Sequence, residues 1–289
     1  MFQILLSDAI DDFEEDLKFN GKSDWTRDGY IREMRSVKDY LEKEYNGPVY
    51  VEDISRSDLK GYLKHIEGKG YQPSSRNRVM FILRSFYNFA VKENIVEENL
   101  AQTFEKVSER TKERVYLNDD EMEELMAEID HNVVKAAAYT IYYSGLRVSE
   151  CLSLTFDDID FDRDIIYVRQ GKGNKDRNVP INSKLKDILT DFIQNKRKSI
   201  SSKKVFATEI SGSLSNAYFN RKIRDAVEKL GWKKEVSAHT FRHSFASNLV
   251  KKDINIYKIK KLLGHSNIQV TSIYTHSNIE DLSAAVSVL

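Results

Sequence analysis

The stretch SAHTFRHSFASNL, residues 237–249, places His239, Arg242 and His243 within about one helical turn. Two chemistries suit that cluster. His239 and His243 stand at i and i+4, the spacing with which a zinc-binding helix presents two imidazoles. The residue after His239 is Thr240 rather than a general-base glutamate, and no carboxylate stands out as a third ligand, so no metal is expected. The other chemistry is oxyanion or phosphate binding. At about 100° per residue, His239, Arg242, His243 and Ala246 share a face, with Phe241 and Phe245 opposite. The phenylalanines would anchor the helix while His239 and Arg242 point at one target, and a guanidinium fork suits an oxyanion. A histidine and an arginine that simply face solvent are the plain alternative.

Further stretches carry donors of the same kind. In SGLRVSE, residues 144–150, a helix should end at Gly145 and Arg147 should open the next. Glu150, three residues on, can reach back along one turn to position Arg147. GKGNK, residues 171–175, sets Lys172 on a Gly-rich hairpin tip and lacks the spacing of a Walker loop. LLGHSN, residues 262–267, ends a helix at Gly264 and opens the next segment with His265, and Tyr274 follows in SIYTH. Taken singly, these also read as a capped turn, a solvated turn and a structural tyrosine.

Taken in order, Arg147, Lys172, His239-x-x-Arg242, His265 and Tyr274 resemble the tyrosine recombinase (integrase) family. The stretches SGLRVSE, GKGNKDR, HTFRHSFAS, LLGHS and IYTH carry the resemblance, which covers essentially the whole chain without a departure at a catalytic position. The resemblance implies that Tyr274 attacks a DNA phosphodiester, leaving a 3′-phosphotyrosyl link and a free 5′-hydroxyl. It gives Arg147, Arg242 and His265 the charge on the phosphorane, and Lys172 the proton for the departing 5′-oxygen. His239 would take or hold the tyrosine proton, with Glu150 and His243 supporting. No cofactor is implied. The implied partner is double-stranded DNA, bound by a homotetramer that is a monomer or dimer when free. A compact two-domain layout is closer to the Xer type, with chromosome or plasmid dimer resolution as its role. A mobile-element integrase, a type IB topoisomerase-like enzyme and a non-catalytic DNA-binding protein are the alternatives.

These residues must be positioned by a mainly α chain with a small β-sheet. Residues 1–104 read as a helical bundle: a helix from Ser7, one over residues 25–45, one capped by Ser55, and one begun by Pro73. Residues 105–114 have one apolar residue in ten and are the expected linker. Residues 115–289 form the expected α+β catalytic domain, with a hairpin at 164–180 and helices on either side. Residues 277–289 form an amphipathic tail, which the resemblance makes a docking tail between protomers.

Composition sets outer bounds. The chain has 289 residues, 40% hydrophobic and 31% charged, enough for two domains. No apolar run is long enough to span a membrane. The start, MFQILLSDAIDDFEEDL, turns acidic at once and lacks signal-peptide features, so a cytoplasmic location is expected. The formal net charge is zero, yet it is patchy. Residues 7–16 are acidic, while 72–92 carry Arg76, Arg78, Arg84 and Lys92 with no acid. Arg76, Arg78, Arg84, Lys175 and Arg177 are the expected DNA contacts. The single cysteine, Cys151, leaves no intrachain disulfide.

Overall fold

The computed structural model describes residues 3–109, 115–171, 175–197 and 200–264. The chain divides into two compact units, residues 1–112 and 113–289. It is mainly helical with one small sheet.

The first unit is a bundle of α1 (Leu6–Phe19), α2 (Asp24–Tyr45), α3 (Arg56–Gly68) and α4 (Pro73–Lys92). Helix α1 starts one residue before Ser7, and Ser7 does not cap it. The Leu6 N–H is taken by the Val49 carbonyl instead (2.8 Å), so a backbone bridge satisfies the helix start. Helix α3 has the expected Ser55 cap, with Asp58 completing a capping box. The interior is aromatic and aliphatic: Phe13 meets Phe86 edge-on at 5.5 Å, in one core with buried Leu41, Leu59 and Leu83. The expected linker does not begin as free chain. Asn77 of α4 donates to the Val107 carbonyl (2.9 Å) and accepts its N–H (2.8 Å), and Val107 packs on the core of this unit.

The second unit begins with α5 (Asp119–Ala127), opened by a capping box of Asn118 and Glu121, and α6 (Asn132–Ser144). Next come α7 (Val148–Ser153) and a sheet of β1 (Ile159–Asp160), β2 (Ile165–Gly171) and β3 (Lys175–Pro180), antiparallel in that order. The hairpin was expected; the two-residue β1 is additional, held by Ile159 opposite Ile166. Helices α8 (Ser183–Asp191), α9 (Asn216–Lys229), α10 (Ala238–Lys251) and α11 (Ile256–Leu263) follow. One core unites buried Leu125, Ile141, Cys151, Phe192, Phe219 and Phe241. Helix α10 is bound to the start of the unit by Ser244, whose buried hydroxyl accepts the Leu117 N–H at 2.7 Å. Among the described residues no helix is long and apolar enough to cross a membrane.

Candidate active site

Helix α6 must stop at Gly145. That residue sits in the left-handed region (φ 66°), and a Cβ there would run into the Phe245 ring and Leu263. The tight turn lets Arg147 become the N-cap of α7. Glu150 closes the cap: its carboxylate accepts the Arg147 backbone N–H (2.8 Å) and the Arg147 Nη1 (2.6 Å). The carboxylate takes a second arginine from the sheet. Arg177 of β3 donates Nη1 to Oε1 (2.9 Å) and Nη2 to Oε2 (2.7 Å), a bidentate fork. Four donors thus converge on one carboxylate whose side chain is 7% exposed. Burial pushes the Glu150 carboxyl up. The Arg177 hydrogen bonds, the Arg147 backbone N–H, the Arg177 charge and the Arg147 side-chain hydrogen bond outweigh it, bringing the group down to about 2.

Three arginines then meet the end of α11. Arg177 Nε donates to Leu262 O (3.0 Å), Arg242 Nη2 to Leu263 O (2.8 Å) and Arg147 Nη2 to Gly264 O (3.1 Å). The last carbonyls of a helix lack intrahelical partners and carry its negative end, so guanidinium groups gather there. Gly264 is left-handed (φ 65°), and a Cβ on it would lie 3.0 Å from Arg177 Cδ. Arg242 also donates Nη1 to Gly145 O, which ties α10 to the turn that presents Arg147.

Helix α10 corrects one expectation. Arg242 is itself buried, whereas His239 is exposed on the first turn and His243 is half-buried. The two phenylalanines do not anchor a common face. Phe241 lies in the main core, edge-on to Phe219 at 6.2 Å, while Phe245 joins a separate small cluster with Ala246, Ile259 and Leu263. Lys172, His265, Tyr274 and the tail 277–289 lie outside the described residues, as does the side chain of Lys175.

The expected DNA contacts divide. Arg78 is exposed. Arg84 is half-buried and binds the carbonyls of Ala101 (3.1 Å) and Phe104, pinning the chain after α4. Arg76, 14% exposed, pairs with Glu67 of α3. Arg177, 11% exposed, faces inward to Glu150. Strand alternation carried the signal for Arg177: it shares a face with Val179, which is buried. Among the described residues no group of three His, Cys, Asp or Glu side chains gathers as a metal site.

Residues 115–281 match the Phage integrase family, and residues 10–94 match the Phage integrase, N-terminal SAM-like domain. The chain belongs to this family, that of the tyrosine recombinases, enzymes that transfer DNA strands. It is 31% identical over 265 residues to the tyrosine recombinase XerC of Anoxybacillus flavithermus, covering 88% of this chain and 87% of that one. The fold is that of the Tn1549 transposon integrase in complex with a circular intermediate DNA (TM-score 0.80, 20% identity, 97% of this chain and 99% of that one). It is equally that of a lambda integrase in a tetramer bound to a Holliday junction (TM-score 0.78, 19% identity, 94% of this chain and 77% of that one).

Proposed function

We propose that this chain is a site-specific, Xer-like recombinase that cuts and rejoins double-stranded DNA through a 3′-phosphotyrosyl intermediate. The observation that carries the reading is the convergence of Arg147 and Arg242 on the adjacent carbonyls of Gly264 and Leu263. Two guanidinium groups, one at the cap of α7 and one within α10, are thereby held by neighbouring protein carbonyls. Such a preorganised pair of donors is what a phosphorane with two charged non-bridging oxygens requires. Arg147 and Arg242 take those oxygens, and His265, the residue after Gly264, adds a donor.

Tyr274 Oη attacks phosphorus as the bond to the 5′-oxygen breaks. The tyrosine proton passes to His239, which is exposed on α10 and so open to substrate. Lys172 gives a proton to the leaving 5′-oxygen. The phosphotyrosyl bond keeps the energy of the original ester, and a 5′-hydroxyl of the partner strand reverses the step. Phosphate contacts supply affinity, with Arg78 and Lys175 as the contacts retained from the sequence. A homotetramer on DNA, joined through residues 277–289, performs the exchange, and dimer resolution of a chromosome or plasmid is the role.

The test is trapping on nicked suicide DNA, in which the short leaving fragment that carries the new 5′-hydroxyl diffuses away. Wild type accumulates a covalent adduct and Tyr274→Phe accumulates none. Equal adduct from both proteins, or none from wild type, removes the enzyme reading. Strand exchange between two sites separates a recombinase from a topoisomerase, which relaxes DNA without joining sites.

A further inference from the structure

We infer that Arg177 is a positioning residue for strand cleavage, acting on Arg147 through Glu150, rather than a contact to DNA. This rests on the phosphotyrosyl reading above. Three of its donors are spent inside the protein: Nη1 and Nη2 on Glu150, and Nε on the Leu262 carbonyl. Its side chain is 11% exposed.

Geometry gives the first effect. Arg147 alone gives each Glu150 oxygen a single donor, its backbone N–H on Oε2 and Nη1 on Oε1. The Arg177 fork adds a second donor to each oxygen and so stiffens the carboxylate in the plane that meets Arg147. Arg147 is then held at both Nη atoms, by Glu150 and by Gly264 O. Charge gives the second. Arg147 and Glu150 alone form a neutral pair, with little attraction left for a phosphate. Sharing the carboxylate with Arg177 leaves one net positive charge on the triad, close to Arg147. Topology gives the third. The Nε bond ties β3 to the end of α11. One side chain thus links β3, the end of α11 and, through Glu150, the start of α7 that bears Arg147.

The test is a double-mutant cycle in single-turnover cleavage of nicked suicide DNA, using full-length Arg177→Gln, Arg147→Gln and the double variant. Arg177→Gln should bind DNA within about twofold of wild type and cleave on the order of 10²-fold more slowly, the usual scale for misplacing a reacting group. In the Arg147→Gln background the same change should cost less than about threefold, because the residue it positions is already gone. A substrate with a neutral methylphosphonate at the cut site should shrink the Arg177→Gln defect, since less charge then needs stabilising. Equal cost in both backgrounds, with no methylphosphonate effect, overturns the proposal, as does a large loss of DNA binding. If Arg177→Gln does not fold, the cycle is run with Arg177→Lys, which keeps the charge but not the fork, and the same criteria apply. An inactive wild type would instead refute the phosphotyrosyl reading, so the two failures are distinguishable.

Discussion

Arg147 and Arg242 donate to neighbouring carbonyls, Gly264 at 3.1 Å and Leu263 at 2.8 Å, so the end of α11 sets the spacing of the two guanidinium groups. The buried Arg242 spans two elements at once, because its other Nη reaches Gly145 O.

A lysine cannot make that span, since its single ammonium has no fork. Arg242→Lys should lower adduct formation by roughly 10²–10³-fold, as loss of a fixed transition-state donor does. Stability should fall by about 1–3 kcal/mol, because a buried carbonyl loses its partner. Single-turnover cleavage and urea melts read the two effects separately.

Glu150 makes stability depend on pH. Its folded-state pKa of about 2 lies below the ordinary carboxyl value of 4.5, so the unfolded chain binds the proton more readily. The stabilisation is fully present above pH 4.5 and is lost as pH falls towards 2. The shift corresponds to about 3 kcal/mol. Glu150→Gln should flatten this part of the stability profile, and should cost about 3 kcal/mol at neutral pH by leaving two half-buried arginines without their counter-ion. Urea melts of both proteins across pH 2–7 measure it; parallel profiles would contradict the assignment.

Gly145 tolerates no side chain. Its positive φ costs a larger residue about 1–2 kcal/mol, and the methyl would displace the Phe245 ring. Gly145→Ala should therefore lower stability by roughly 2–4 kcal/mol in total. It should also slow cleavage, because the Gly145 carbonyl holds Arg242.

Asn77 fixes where the first unit ends. Replacing it by alanine strands the N–H and carbonyl of Val107. Asn77→Ala should destabilise this unit by about 1–2 kcal/mol. Residues 105–109 should become the earliest site of limited proteolysis; an unchanged cleavage pattern would show that the pair does not pin the segment.

What the sequence made legible was local. The Ser55 box, Pro73 at the start of α4 and Gly145 after α6 each act within a few residues, so spacing alone reveals them. What it hid was made by distant partners. Strand β1 is two residues long and is defined by its pairing with β2, Ile159 opposite Ile166 and Asp160 opposite Ile165. Arg84 and Arg76 belong to a run without acids, which reads as a basic surface. Their partners are the Ala101 and Phe104 carbonyls and Glu67, outside that run. Ser7 looked like a cap, but the Val49 carbonyl had already met the helix start. At the candidate site, the link from Glu150 to Arg147 was readable from an i, i+3 spacing, while the fork from Arg177 required the sheet to fold.

The most direct measurement is to trap the protein on nicked suicide DNA, digest the adduct and identify the nucleotide-bearing peptide by mass spectrometry. The expected result is a single modified peptide with the 3′-phosphate on Tyr274. A nucleotide on any other residue, or no covalent peptide from active protein, would contradict it.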